Sequence, residues 1–325
     1  MRSNRKQKSL SVFSFLCMAS LLLGCEPQAA AKHTIMLILD SEETYYSQMI
    51  DEGVTAAVSE YSDVTVLKRI PAKVNDSEQQ NRYLQEAVNL GIDTVIFSAA
   101  DIGQSQKDLA RASEKGLSII MIDSFLSDSQ DQNYIGTNDQ EAGELAGTAL
   151  IEALGTKAKI GILNFEELAN NSQEREKERA FHIYLENFPD IEIIEQQLSW
   201  SDSKTVQLLT EEMLSKYPKM DGIVAFNEIT TIGAGRAVEA KELQDKVAVI
   251  GFDTQKECIE LLETGSIAAL IVQNPFAIGY LAVQRALNPN DEKRTAEPLF
   301  TEVELVTKKN MYQTDKEKLL FPFTY

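Results

Sequence analysis

Residues that carry acid–base and metal chemistry are scarce in this chain. It contains only two histidines among 325 residues, His33 and His182, and only three cysteines. A Ser-His-Asp hydrolase needs a placed imidazole, and zinc sites commonly use several His or Cys ligands, so both classes are disfavoured. The G-x-x-x-x-G-K-[S/T] loop that binds nucleotide phosphates is missing as well. The sequence therefore predicts a protein that is not an enzyme and that holds neither a metal nor a cofactor.

Positive charge is also in short supply. Lys and Arg together number 31 against 50 Asp and Glu, which gives a formal net charge of −19 at pH 7. Nucleic-acid phosphates require basic patches, so a nucleic acid is a poor candidate partner. The excess of negative charge favours solubility, and it argues against adhesion to an anionic membrane except through an anchor.

The first 24 residues have the pattern of an export signal. Four basic residues and no acidic one precede an apolar run at 10–23, which is too short for a membrane span. The run ends in Leu22-Leu23-Gly24-Cys25, which resembles the lipobox of bacterial lipoproteins, in which the cysteine is lipidated. An ordinary secretory signal with a chance cysteine is the alternative. We expect a signal peptide at 1–24, lipidation at Cys25 and a short tether at 25–32.

From residue 33 onward, short apolar runs alternate with longer amphipathic segments. Strands are predicted at 34–39, 64–70, 94–97, 118–122, 159–163, 191–194, 222–226, 247–250 and 268–272, with a short extended segment near 134–136. Helices are predicted between them at 46–61, 76–89, 106–115, 172–187, 204–217, 229–240 and 254–264. This alternation indicates an α/β protein with two doubly wound parallel sheets. Only Cys258 remains in the folded part, so an internal disulfide is excluded there.

Polar residues end several of the apolar runs. These residues are Asp40, Ser41, Asp123, Asn227, Asp253 and Gln273. In open α/β sheets, ligands bind outside the carboxyl ends of the strands. Carboxylates and amides at that edge supply hydrogen-bond acceptors and donors suited to vicinal hydroxyl groups. Each residue alone is also explained as a helix N-cap, for example Asp253 for a helix from Thr254.

Four segments carry a resemblance to a known family: residues 135–147, 221–228, 249–253 and 271–280. Together they resemble the ribose-type (type I) periplasmic sugar-binding proteins, and the resemblance extends over about 33–311. The same fold forms the effector domain of LacI-type repressors. The lipobox stands where those repressors carry a DNA-binding headpiece, which disfavours that branch.

The resemblance implies a particular domain organisation. Two Rossmann-like lobes, each a parallel sheet flanked by helices, are joined by a three-segment hinge. The N-terminal lobe is expected at 33–138 plus 274–303. The C-terminal lobe is expected at 139–273 plus 304–325.

The resemblance also implies a ligand site in the cleft between the lobes. The implied ligand-binding residues are Tyr46, Asp123, Thr137, Asn227, Phe252, Asp253 and Gln273. Further candidates are Ser41, Tyr45, Ser124, Arg175, Lys177 and Trp200. Core packing is an equal alternative for Trp200, and simple helix surface is an alternative for Arg175 and Lys177.

One departure from the family pattern bears on the ligand. Ser124 stands where ribose binders have an arginine, so the five-donor guanidinium is lost and ribose itself is doubtful. The ligand therefore remains open among a hexose, a polyol and another hydroxylated solute.

The implied function is solute capture by hinge closure at the outer side of the cell membrane. A closed, loaded protein would deliver its sugar or polyol to an ABC permease. The alternative is a sensory lipoprotein whose closed form docks on a membrane receptor or a sensor kinase. The sequence does not separate these two functions.

Overall fold

The structure is a computed structural model that describes residues 33–41, 44–73, 76–123, 133–164, 173–198, 202–288 and 297–321. Its strands form two six-stranded sheets. The first sheet contains β1 (His33–Ile38), β2 (Val64–Arg69), β3 (Thr94–Ser98), β4 (Ser118–Ile122), β5 (Tyr134–Thr137) and β11 (Leu299–Thr301). The second contains β6 (Ala158–Asn164), β7 (Ile191–Leu198), β8 (Gly222–Ala225), β9 (Ala248–Phe252), β10 (Ala269–Val272) and β12 (Glu304–Thr307).

Helices connect most of these strands. Those of the first half are α1 (Tyr45–Val58), α2 (Ser77–Leu90), α3 (Ile102–Glu114), α4 (Asp139–Leu154) and α5 (Gln173–Leu185). Those of the second half are α6 (Ser203–Lys216), α7 (Glu228–Ala240), α8 (Lys256–Thr264), α9 (Pro275–Leu287) and α10 (Thr314–Leu320).

The strand order confirms the predicted two-lobed α/β fold. The first sheet runs β2-β1-β3-β4-β5-β11, and its neighbouring strands are all parallel. The second runs β7-β6-β8-β9-β10-β12, and only β12 is antiparallel to its neighbour. The chain crosses between the sheets after β5, after β10 and between β11 and β12. The residue bounds predicted for the two lobes remain a proposal.

Alternating side chains of β1 show why helices cover both faces of the first sheet. Ile35 and Leu37 lie in an apolar cluster with residues of α1 and α9. Met36 and Ile38 point to the opposite face, where they join residues of α2 and α3. All four side chains are fully buried, as expected for a parallel strand with helices on both sides.

Some predicted boundaries were wrong. Helix α3 begins at Ile102 rather than at 106, because Asp101 caps it by accepting a hydrogen bond from the Gln104 amide at 3.1 Å. Strand β7 continues to Leu198 rather than ending at 194. The sequence patterns predicted neither the helices α9 and α10 nor the short strands β11 and β12.

Helices α1 and α9 cross with their backbones in direct contact. A Cβ atom at Gly53 of α1 would lie 2.0 Å from the Phe276 carbonyl oxygen of α9. A Cβ atom at Gly279 of α9 would lie 2.0 Å from the Ile50 carbonyl oxygen of α1. Only glycine permits this close approach. The contact fixes α9, which follows Gln273, against α1, which carries Tyr46.

We predict that Gly279→Ala destabilises the protein by about 1–3 kcal/mol, the usual cost of overpacking. The added methyl group meets helix backbone, which moves less easily than a side chain. Urea unfolding measures the change. The matched control is Gly103→Ala in α3, where the nearest atom to the new Cβ is Asp101 Oδ1 at 3.2 Å. The control should be neutral or slightly stabilising, and equal losses in both variants would contradict the account.

Candidate ligand-binding site

The predicted site residues lie at the carboxyl ends of the strands. Asp123 directly follows β4, and Thr137 is the last residue of β5. Asn227 lies two residues after β8, while Asp253 and Gln273 directly follow β9 and β10. Since parallel strands end at one edge of their sheet, each sheet gathers its polar residues at a single edge.

The two aspartates occupy matching turns in the two lobes. Asp123 has φ 68° and Asp253 has φ 74°, both in the left-handed region. The Asp123 amide donates to the Ile135 carbonyl of the next strand, and the Asp253 amide donates likewise to the Ile271 carbonyl. A left-handed residue other than glycine costs about 1–3 kcal/mol, and such strain collects at functional sites. Asp tolerates this conformation better than most residues do.

Tyr46 connects the two edges. Its hydroxyl donates to Asp123 Oδ1 at 2.6 Å. Burial raises the pKa of the Tyr46 phenol well above its ordinary value, and the charge of Asp123 raises it further. The charge of Asp253, from the other lobe, also raises this pKa. The two sheet edges therefore lie close enough for an aspartate of each lobe to act on the Tyr46 phenol.

Asp253 does not cap a helix, which corrects one sequence-based alternative. Helix α8 begins at Lys256, and its N-cap is Gln255. The Asp253 carboxylate instead accepts a hydrogen bond from Gln273 Nε2 at 2.6 Å. Asn227 does act as a cap, because its Oδ1 accepts from the Thr230 amide at 2.9 Å.

Three buried polar atoms at this edge have no hydrogen-bond partner of standard geometry among the described residues. They are Thr137 Oγ1, Asn227 Nδ2 and Gln273 Oε1. Their residues are only 2%, 6% and 3% exposed. The Thr137 hydroxyl lies close enough to that of Tyr46 to lower the pKa of the phenol slightly. Leaving a buried polar group unsatisfied costs about 1–3 kcal/mol, so these atoms require partners other than the described residues, such as water or a ligand.

Phe252 and Lys177 lie together beneath the second edge. Phe252 is fully buried, and its ring centroid is 5.7 Å from that of Phe226. The Lys177 ammonium lies 5.3 Å from the centroid of the Phe252 ring and 3.9 Å from Asp139 Oδ1. The ring face and the carboxylate both favour this buried cation. Direct ligand contacts of Phe252 and Lys177 remain predictions.

The other candidates differ in their placement. Ser41 is buried just beyond β1, Tyr45 is half-buried at the start of α1, and Arg175 is half-buried on α5. The remaining sites named from the sequence lie outside the described residues: Cys25, Ser124 and Trp200.

Glu228 was missed by the sequence analysis. As the first residue of α7, it accepts a hydrogen bond from the Tyr45 amide at 3.2 Å and another from the Tyr46 amide. Burial and the nearby charge of Asp253 raise the pKa of Glu228 to about 7. The only sequence signal is its place directly after Asn227, where an acidic residue is common at a helix start.

Two searches of the described residues bear on other functions. In this part of the chain, no helix has the length and apolar character needed to cross a membrane. Within the same residues, no cluster of three His, Cys, Asp or Glu side chains is arranged to hold a metal ion.

Comparison with known proteins shows the family. Residues 35–288 match the periplasmic binding protein domain, so the chain belongs to that family. Its relatives include the ribose import binding protein of Bacillus subtilis, 23% identical over 237 residues, which are 72% of this chain and 75% of the relative. The D-apiose import binding protein of Paraburkholderia graminis is 25% identical over 74% of this chain and 77% of its own. These relatives confirm the prediction of a solute-binding protein rather than an enzyme.

Solved structures share the same fold. An ABC-transporter solute-binding protein from Agrobacterium vitis with bound D-fucose has a TM-score of 0.81 at 25% identity, covering 88% of this chain and 99% of that one. A chain of the XylFII–LytSN complex has a TM-score of 0.75 at 24% identity, covering 86% and 98%. The latter likeness shows the fold alone.

We predict that Thr137→Val stabilises the ligand-free protein by about 1 kcal/mol, because the variant removes a buried hydroxyl that has no hydrogen-bond partner of standard geometry among the described residues. The matched control is Thr210→Val, since Thr210 is also buried but its Oγ1 donates to the Val206 carbonyl at 2.7 Å. The control should lose about 1 kcal/mol. Urea unfolding of both variants is the measurement, and a loss at Thr137 as large as that at Thr210 would contradict the interpretation.

Proposed function

We propose that this chain is an extracytoplasmic, lipid-anchored solute-binding protein that captures a sugar or polyol between its lobes and delivers it to an ABC permease. The observation that carries the proposal is the set of three buried polar atoms on Thr137, Asn227 and Gln273 that lack a hydrogen-bond partner of standard geometry among the described residues. They come from both sheets and include acceptors as well as a donor. Sugar hydroxyls both donate and accept, so one ligand can satisfy all three.

Two carboxylates complete the proposed site. Asp123 accepts a hydrogen bond from the Tyr46 hydroxyl, and Asp253 accepts one from the Gln273 amide. An ionised carboxylate is an acceptor with two oxygens, so a ligand hydroxyl that comes close to either aspartate can donate to it. Hydrogen bonds to a charged acceptor are the stronger kind and contribute about 1.5–3 kcal/mol each.

Closure of the cleft is the proposed mechanism. The ligand contacts residues of both lobes only when the lobes are close together. It therefore has a higher affinity for the closed form and shifts the population towards it. The three crossings between the sheets provide the hinge.

The solute class rests on the relatives. Their names specify import of ribose and of D-apiose, and one similar structure holds D-fucose. These are all small polyhydroxylated molecules, which agrees with a site made of carboxylates, amides and hydroxyls. These relatives and neighbours are named for different sugars, so similarity at this level specifies a class of solute and not one sugar.

A sensory role is the second candidate. The chain shares its fold with a component of the XylFII–LytSN complex, in which a protein of this fold is assembled with LytSN. Capture and closure would be the same, but the closed form would dock on a membrane receptor or sensor kinase. Uptake of radiolabelled sugar by cells with and without the gene separates the roles when the permease is produced at a constant level. Loss of uptake without the gene indicates delivery to the permease, whereas unchanged uptake indicates a sensor.

We predict that a panel of pentoses, hexoses, polyols, nucleosides and amino acids raises the melting temperature only for one sugar or polyol class. A ligand at a hundredfold excess over its Kd stabilises the native state by about 2.7 kcal/mol.

Asp253→Asn should weaken binding about 10- to 100-fold, because it removes a charged acceptor while Asn keeps the left-handed backbone accessible. Thermal denaturation and calorimetric titration are the measurements.

The control for Asp253→Asn is Glu242→Gln. Glu242 is another non-glycine residue with positive φ, 55°, and it lies outside the cleft. The control should bind as the wild type does. Unchanged affinity in Asp253→Asn would refute the assignment of the site, and a shift confined to nucleosides or amino acids would refute the solute class.

We predict that Cys25→Ser releases the protein from the membrane. In a bacterial host that processes lipoproteins, the wild type should take up labelled palmitate and sediment with membranes. The variant should do neither, because no thiol remains at the lipobox position. Cys17→Ser, within the proposed signal, is the matched control and should stay anchored. Membrane association of Cys25→Ser would contradict the anchor.

A further inference from the structure

Helix α1 has an unusual N-terminus, because part of its capping comes from the other lobe. The first N–H groups of a helix have no intrahelical partner and need another acceptor. Thr44 provides one by accepting from the Ser47 amide through its side chain. The two preceding amides, those of Tyr45 and Tyr46, donate to the carboxylate of Glu228.

Glu228 belongs to the second lobe. It begins α7 directly after β8, a strand of the second sheet, whereas α1 follows β1 of the first sheet. The contact therefore exists only while the lobes are close together. It also carries favourable electrostatics of its own, since a carboxylate at a helix N-terminus meets the positive end of the helix dipole.

We propose that Glu228 is an inter-lobe closing residue, whose carboxyl group caps α1 of the opposite lobe and makes lobe closure depend on proton uptake. The inference rests on the proposed hinge closure. It assigns to Glu228 a role in positioning the lobes, without requiring that Glu228 contact the ligand.

The surroundings of Glu228 determine the sign of the pH effect. The titratable groups that interact electrostatically with it are Tyr45 on α1, Asp253 after β9 and Cys258 on α8, while Tyr46 meets it only through its backbone amide. Among these, Asp253 supplies a like charge. Burial and Asp253 disfavour the ionised form of Glu228 more than the two amides favour it, so its pKa rises to about 7 from an ordinary 4.5.

The linkage follows from this difference. In an open form, α1 no longer covers Glu228, so the burial that raises its pKa is reduced and the pKa falls towards its ordinary value of 4.5. Between pH 4.5 and about 7, the closed form therefore binds more protons than the open form does. Lowering the pH through this window favours closure, and raising it above 7 removes the advantage. From pH 8 to pH 6, the closed-to-open ratio should rise about tenfold.

Amide hydrogen exchange of Tyr45 and Tyr46 in the ligand-free protein tests the proposal. Exchange rates are divided by the intrinsic rates at the same pH, so that the protection reports how often the contact opens. In the wild type, protection of both amides should be about tenfold greater at pH 6 than at pH 8. The Val54 amide, inside α1, should show no such change.

Three variants complete the design. Glu228→Gln keeps an acceptor oxygen but cannot ionise, so its protection should be independent of pH and should exceed that of the wild type at pH 8. Glu228→Ala lacks the acceptor and should lose protection at both pH values. Glu239→Gln, at an exposed position of the same helix, is the matched control and should behave as the wild type does.

The outcomes are distinct from those of the sugar panel, because no ligand is present. Equal protection at both pH values in the wild type would overturn the proton coupling. If protection in Glu228→Gln still changes tenfold with pH, the pH dependence belongs to another group. If protection is unchanged in Glu228→Ala, Glu228 does not cap α1. If Glu228→Ala fails to fold, the pH dependence of amide protection in Glu228→Gln is sufficient to test the proposal.

Discussion

Buried polar atoms without hydrogen-bond partners cost about 1–3 kcal/mol each, and in the part of the chain that the structure describes three such atoms lie at the edge where the two lobes meet. The same strands that make the core also produce this edge, because parallel strands bring their carboxyl ends together. Burial there leaves one polar atom each of Thr137, Asn227 and Gln273 without a hydrogen-bond partner of standard geometry among the described residues. In the proposed function, a polyhydroxylated ligand supplies these partners only when both lobes surround it, so ligand binding would favour lobe closure.

The two lobes contribute to the site in equivalent ways. Asp123 and Asp253 adopt the same left-handed turn after a strand, and each donates its amide to the neighbouring strand. Each carboxylate accepts a hydrogen bond of 2.6 Å from a neutral side chain, which is Tyr46 in one lobe and Gln273 in the other. The strain of the turn is offset by the packed sheet around it, so the carboxylates are positioned before a ligand arrives.

Much of this architecture was predictable because it depends on local patterns. Continuous apolar runs located the central strands, and the polar residues after them identified Asp123, Asn227, Asp253 and Gln273 as neighbours in space. The edge strands β11 and β12 were missed, because segments of three or four residues carry little periodicity. Helix α9 was missed because its mostly apolar sequence gives only a weak helical pattern. The contact of Glu228 with α1 joins residues 183 positions apart. No local pattern predicts such a contact, and the shift in its pKa arises from burial that only the closed fold creates.

A structure of the complex with the sugar that the panel identifies would test the central claim most directly. The account predicts that the sugar lies between the two sheet edges and that its hydroxyls come within hydrogen-bond distance, about 2.7–3.2 Å, of Thr137 Oγ1, Asn227 Nδ2 and Gln273 Oε1. A sugar bound elsewhere, or a bound sugar that leaves these three atoms without partners, would contradict it.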